Sequence, residues 1–532
     1  MDNKFKNFGV MLDCSRNAVR STQSIKRFID YLSDMGYNML QLYTEDTFEV
    51  DNEPRFGYLR GRYSKEELKD LSGYAKSKNI KLVPCIQTLA HLNQIFRWSE
   101  YKQINDCDDI LLCGDEKTYN LLDNMFKTMR ECFDSDIINI GMDEAQMLGL
   151  GKYLKKNGYT NRFQIILAHL KRVTQIAEKY NFKPMIWSDM FFRLGSPTNS
   201  YYTDEVVDFS KEIIDSVPQN LDLIYWDYYK TDKAKYDVMM ASHKKFKNNI
   251  WFAGGAWCWG TLCPHNNFAL KTLEPGIKSA IENGIENMFI TLWGDDGAEC
   301  SYMSMLPSLF FASQIAKGIT NKKTIKQNFK EKFGIDFDKF MYLDLPDITV
   351  DNTKFITMSK NILYADLFMG IFDCNVTDKQ KQHYKQSALK LSRIKNDNFG
   401  YLFETQKALS DVCYHKIDLG KLTREYYLSN DKEGLKRLLT EYDILYKKVK
   451  IYYEKFKILW FIENKPHGFD IQDLRLGGLM QRILSCKDRI NLYVNGKIKN
   501  IPELEEKIIK MEDDGSLSLR YHYKIISSNR VV

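Results

Sequence analysis

The residues best equipped for chemistry are Asp143 and Glu144, adjacent at the end of Ile137-Ile138-Asn139-Ile140-Gly141-Met142. That run is apolar and rich in β-branched residues, the pattern of a buried strand. Two carboxyls at such a strand end either cap the following helix or face a pocket. Neighbours along a strand point in different directions, so two acids can share a pocket and still feel different surroundings. One can then stay protonated while the other is ionised, which is what general acid–base chemistry needs.

Other strand ends carry groups of the same kind. Apolar runs recur at Phe8–Asp13, Met39–Tyr43, Lys81–Ile86, Ile137–Ile140, Pro184–Trp187, Leu221–Trp226, Ile250–Ala253 and Met288–Trp293. Arg16 follows the first, Glu45 and Asp46 the second, and His91 the third. Beyond the fourth, Trp187 and Asp189 close the fifth, and Trp226, Asp227 and Tyr228 the sixth. Trp257 closes the seventh, and Trp293 with Asp295 the eighth. Taken singly, a Trp is a core residue and an Asp after a strand is a cap. Four Trp at equivalent ends of four strands, interleaved with acids, suit a sugar: ring faces stack on indole and hydroxyls pair with carboxylates.

These groups must be held by the elements between them. Ile25, Phe28, Ile29 and Leu32 have helical spacing over 24–35, and Gly36 ends that helix. Ser64 and Glu67 form a capping box before Leu68, Leu71 and Tyr74. Eight strands alternating with helices predict an α/β chain with a (β/α)8 barrel, in which the strand ends gather at one mouth. A doubly wound sheet is the alternative, but its Gly-rich phosphate turn is missing.

The 532 residues exceed one core. From about Leu306 the strand pattern gives way to charged amphipathic helices over 324–333, 353–372, 377–428, 432–457 and 470–493. Ser516–Ile526 alternates like a terminal strand. The expected domains are a barrel over 1–315 and a mainly helical domain over 316–532. A net charge of +6 with interspersed signs and no basic block excludes nucleic acid. No apolar stretch is long enough to span a membrane. No secretory signal is visible, and 11 scattered Cys without a CxxC favour reduced thiols and a cytoplasmic location. No His, Cys or Asp cluster has metal-ligand spacing, so neither metal nor cofactor is expected. A homodimer is left open.

Several segments together resemble glycoside hydrolase family 20, the β-N-acetylhexosaminidases, in the branch that begins directly with the barrel. They are Met11-Leu12-Asp13-Cys14-Ser15-Arg16-Asn17, Tyr43-Thr44-Glu45-Asp46-Thr47, Phe56-Gly57-Tyr58-Leu59-Arg60-Gly61-Arg62-Tyr63, Gly141-Met142-Asp143-Glu144 and Leu292-Trp293-Gly294-Asp295-Asp296-Gly297. The resemblance implies exo-acting, retaining hydrolysis of terminal β-linked GlcNAc or GalNAc from oligosaccharides or glycoconjugate fragments. In that mechanism the substrate's own acetamido group forms an oxazolinium. Glu144 matches the general acid and base, and Asp143 the residue that orients the acetamido nitrogen. Arg16 matches an arginine that holds O3 and O4, and His91 a strand-3 histidine oriented by the relay acid Glu45. Trp187, Trp226, Trp257 and Trp293 would wall the pocket, and Asp295 replaces a family Glu that binds O4 or O6. The family's strand-7 Tyr-x-Asp is absent, since strand 7 carries Trp257-Cys258-Trp259. Asp227 and Tyr228 on strand 6 are therefore assigned to substrate, with Tyr225 the alternative partner of the acetamide. The strand-3 segment also lacks the family's Pro-Gly-His ending. The other readings are a different hexosamine-specific barrel glycosidase and a catalytically silent sugar-binding barrel.

Overall fold

In a computed structural model, residues 3–350, 357–370 and 372–509 are described. Eight parallel strands close into a barrel in chain order: β1 (Asn7–Asp13), β2 (Met39–Thr44), β3 (Lys81–Ile86), β4 (Ile137–Asn139), β5 (Lys183–Trp187), β6 (Asp222–Trp226), β7 (Ile250–Gly255) and β8 (Asn287–Leu292). Closure comes from β1 against β8, with Asn7 opposite Asn287 and Leu12 opposite Leu292. Most strands are buried along their whole length, as expected when helices cover the outside and side chains fill the inside.

The helices follow from their end signals. In the first, Thr22–Met35, Ile25, Phe28, Ile29 and Leu32 are buried, and Gly36 closes it at φ 89°. It starts earlier than the periodicity implies because Ser21 accepts the amide of Ser24 as an N-cap. The second, Lys65–Ser77, opens on the reciprocal Ser64–Glu67 capping box.

The chain forms two compact units, and the division is not a single cut near residue 315. The first comprises Met1–Trp257, Phe268–Trp293 and Ser308–Ile325. The second comprises Cys258–Asn267, Gly294–Pro307 and Lys326 onward. Within the second unit a buried charge network ties the segment after Gly294 to the helices. Lys360 Nζ lies 2.7 Å from Asp296 and 2.6 Å from Glu299. Arg475 reaches Glu299 at 2.9 Å and Asp296 at 3.2 Å. The expected 377–428 pattern resolves into Asp378–Ser392, Gly400–Lys416 and Leu419–Leu428, followed by long helices Lys432–Glu463 and Phe469–Val494. Lys432–Glu463 buries Leu435, Leu438, Tyr442, Leu445, Val449, Tyr452, Phe456 and Leu459, a single stripe at helical spacing. The helix expected over 353–372 is observed as Met358–Tyr364. The strand expected at Ser516–Ile526 lies outside the described residues. Among the described residues no helix is long and apolar enough to cross a membrane, and none of the eleven cysteines forms a disulfide.

Candidate active site

The strand carrying the acid pair is short because the chain leaves it sharply. Gly141, Met142 and Glu144 all lie in the left-handed region, at φ 68°, 70° and 53°. Glycine is required at 141, where a Cβ would stand 2.1 Å from Gln87 Oε1. Met142 and Glu144 have no such licence. Non-glycine residues held there cost about 1–3 kcal/mol each and persist where the surroundings fix them, typically at functional sites. Gln87, at the end of β3, supplies part of that fixing. Its Oε1 accepts the Met142 amide at 3.2 Å, and its Nε2 donates to Asp143 Oδ1 at 2.9 Å and to the Tyr43 hydroxyl at 3.1 Å.

His91 stands against the acid pair, with Nε2 3.3 Å from Asp143 Oδ2 and 3.8 Å from Glu144 Oε2. Burial works against a charged imidazole here, but the Asp143 carboxylate outweighs it and lifts the His91 pKa to about 9. Burial likewise works against the Asp143 carboxylate. The His91 charge, with the Gln87 hydrogen bond, prevails and holds it below the usual range. Glu144 moves the other way: burial and the Asp143 charge raise its pKa, and His91 only partly opposes them. The Asp143 side chain is 10% exposed and that of Glu144 46%. The pair is thus an ionised, enclosed carboxylate beside a more open carboxyl biased toward its acid form. One ligand atom from each of His91, Asp143 and Glu144 lies within 4.8 Å of the others, a trio that sequence spacing did not reveal.

Glu45, the expected relay acid, bears on His91 through its charge. Glu45 does not hydrogen-bond His91. Its Oε1 accepts from Arg16 Nε at 2.6 Å and from the Tyr43 hydroxyl at 3.2 Å. Burial raises the Glu45 pKa against the Arg16 charge. The carboxylate beside the far side of His91 is Asp109, which accepts the His91 amide at 3.0 Å and lies 3.6 Å from Nδ1. Sequence reading missed Asp109 because it sits in a loop with no motif around it. The Arg16 guanidinium lies over the rings of Trp293 and Tyr43, at 5.7 and 5.8 Å from their centroids.

The aromatic residues assemble as two linked groups. Trp187 and Trp293 lie 5.9 Å apart, and Trp293 meets Tyr43 edge-on at 4.7 Å. Trp226 stacks on Tyr228 at 5.3 Å, and Trp257 Nε1 donates to the Tyr228 carbonyl at 2.8 Å. The indole N–H groups of Trp187 and Trp226 are buried without a hydrogen-bond partner. The Tyr228 hydroxyl stands beside Trp293 and Thr291, whose hydrogen bonds oppose the rise that burial imposes on it. Tyr225 turns away. Its ring packs 4.9 Å from His243 and 5.5 Å from Phe252, and its hydroxyl donates to Asp227 at 3.0 Å. Asp227 is not a free carboxylate either. It is 1% exposed and accepts the amides of Tyr229 and Lys230, which makes it the anchor of the turn after β6. Asp295 belongs to the second unit, where its carbonyl accepts the Gly260 amide.

Residues 5–245 match the family described as "Glycosyl hydrolase family 20, catalytic domain", and residues 338–521 match "Glycoside Hydrolase 20C C-terminal domain". A probable β-hexosaminidase of Arthroderma benhamiae is 22% identical over 306 residues, 47% of this chain and 48% of that protein. Human hexosaminidase D is 21% identical over 216 residues, 38% of this chain and 42% of that protein. The chain spans about half the length of the curated relatives it matches. Among solved structures, a family 20 exo-β-N-acetylglucosaminidase from Vibrio harveyi aligns with a TM-score of 0.49 and 13% identity, over 64% of this chain and 59% of that one. The chain belongs to glycoside hydrolase family 20.

Proposed function

We propose that this family 20 member is an exo-acting β-N-acetylhexosaminidase that releases terminal β-linked GlcNAc or GalNAc with retention of configuration. One observation carries the reading: two neighbouring carboxyls whose surroundings drive their pKa values apart, Asp143 down and Glu144 up. Glu144 protonates the glycosidic oxygen as the bond to C1 breaks. The substrate's acetamido oxygen attacks C1 and closes an oxazolinium ring. Asp143 accepts the acetamido N–H and offsets the positive charge that develops there. Glu144, now ionised, takes a proton from water as that water attacks C1, and the ring reopens to product.

The adjacency of the two acids supports substrate assistance. A protein nucleophile and its partner acid flank the glycosidic bond about 5–5.5 Å apart. Adjacent acids whose carboxyls both meet one imidazole straddle a ring poorly. Tyr228, beside Trp293 and Thr291, is the residue we assign to the acetamide carbonyl. Trp187, Trp226, Trp257 and Trp293 are assigned to the pocket wall, and Arg16 to ring hydroxyls. Eleven cysteines without a disulfide fit a reducing compartment, and we assign the cytoplasm.

The test is turnover of chromogenic aryl β-GlcNAc and β-GalNAc by the purified chain, followed by a thiazoline mimic of the oxazolinium. Hydrolysis, strong thiazoline inhibition and loss of most of the rate when N-acetyl is replaced by a free amine are expected. A covalent glycosyl ester on Asp143 or another carboxylate would overturn the mechanism. Sugar binding without turnover would make the chain a silent sugar-binding barrel.

A further inference from the structure

We propose that Asp189 is a positioning residue for Glu144: its buried carboxyl holds the Glu144 peptide amide and so fixes the direction of the acid–base side chain. The proposal rests on the role given to Glu144 above.

Asp189 follows β5 and opens the short helix Asp189–Gly195. An acid at that place ordinarily caps its own helix. This one does not. Its Oδ2 accepts the amide of Glu144, 45 residues away in sequence, at 3.1 Å, and Arg193 Nε at 3.1 Å. Its side chain is wholly buried, and Oδ1 has no hydrogen-bond partner. A carboxyl kept in such a place at the expense of its solvation is doing something a smaller apolar residue would not.

The bond falls where the backbone most needs holding. Glu144 sits at φ 53°, outside the region where a glutamate rests unaided. Its carbonyl is tied to the Gln146 amide at 2.6 Å and its amide to Asp189, so both sides of the residue are fixed. Arg193, one turn along the helix, donates to the same Asp189 oxygen and holds it in place. Asp143 and Glu144 also bear on the Asp189 carboxyl: burial first, then their charges, push its pKa up to about 7 against the pull of Arg193. Ionised or neutral, a carboxyl oxygen still accepts an amide hydrogen, so an amide side chain of the same shape can replace it.

The experiment compares Asp189→Ala and Asp189→Asn with the parent on two aryl β-GlcNAc substrates, one with a good and one with a poor leaving group, alongside thermal melting. A misplaced general acid matters most when the leaving group needs its proton. Asp189→Ala should therefore lose about 10²-fold in kcat on the poor leaving group, much less on the activated one, with KM close to the parent. Asp189→Asn, which keeps an acceptor oxygen, should restore most of that loss. If the alanine variant does not fold, Asp189→Ser, too short to reach the Glu144 amide, carries the same expectation. Equal losses on both substrates, or an alanine variant indistinguishable from the parent, overturn the proposal. Glu144→Gln must itself show the leaving-group pattern. If it does not, or if the parent lacks activity, the reading of Glu144 falls and this proposal with it. If it does and Asp189→Ala does not, only the present proposal falls.

Discussion

Replacing His91 with Asn should move the acid limb of the pH–rate profile upward. Asn is the substitution of choice because residue 91 lies at φ 58°, a conformation Asn tolerates better than other side chains. The change removes the cation 3.3 Å from Asp143. Unit charges at that distance attract by about 5 kcal/mol at an effective dielectric near 20, and breaking buried charge pairs costs about 2–5 kcal/mol. The two side chains are 15% and 10% exposed, so some solvent reaches the pair and the lower half of that range applies. Losing that attraction raises the Asp143 pKa, and the acid limb of the profile reads the rise directly. Activity needs Asp143 ionised, so it is present above that pKa and lost as pH falls through it. Raising the pKa moves the loss to higher pH. Glu144 also loses a neighbouring cation, which raises its pKa and moves the alkaline limb up. That shift is smaller because Nε2 is 3.8 Å away and Glu144 is more open. The working range should therefore narrow as well as shift. The assay is kcat/KM against pH on an aryl β-GlcNAc, which reports the free enzyme. An acid limb that stays at the parent's position would refute the claim that His91 keeps Asp143 ionised.

Glu144→Gln should lower turnover of poor-leaving-group substrates by about 10²–10⁴-fold while sparing activated aryl glycosides in the first step. Equal activity of mutant and parent on a natural disaccharide would remove Glu144 from the acid role. Chelation should leave the rate unchanged, since the nearest pairing in the His91, Asp143 and Glu144 trio reads as an ion pair. Loss of activity restored by one specific metal would reverse that reading. Trp293→Ala should impair turnover more than stability, because this ring touches Trp187, Tyr43 and the Arg16 guanidinium at the barrel mouth. Unchanged kinetics with a loss of about 3–5 kcal/mol in unfolding free energy, the cost of a Trp cavity, would make it plain core.

The barrel was readable because its strands are buried on both faces and so appear as apolar runs, with limits that differ from the observed ones by a residue or two. The unit boundary was not readable. Cys258–Asn267 and Gly294–Pro307 continue smoothly from barrel strands in sequence, and only long-range partners such as Lys360 and Arg475 assign the second segment to the helices. In the site, Asp143 and Glu144 announced themselves by adjacency. Their supports did not, because each arrives from another strand end: Gln87 from β3, Asp109 from the loop beyond it, Asp189 from β5. His91 reaches Asp143 even though the segment before it departs from the family's usual ending.

Adjacency by itself would leave the two acids nearly equivalent, each disfavouring the other's charge. Asymmetry enters through the third dimension. The left-handed turn at Gly141-Met142 and again at Glu144 swings the pair out of strand geometry, where neighbours would point apart, so that both carboxyls meet the same imidazole. His91 is closer to Asp143, which also takes the Gln87 hydrogen bond and is the more enclosed of the two. Asp143 therefore takes the charge, and burial together with that charge raises Glu144. The protonation pattern that the proposed reaction requires thus arises from one cation placed off-centre between two like acids. The strained backbone that makes this placement possible is the feature a linear sequence shows least, since only Gly141 marks it.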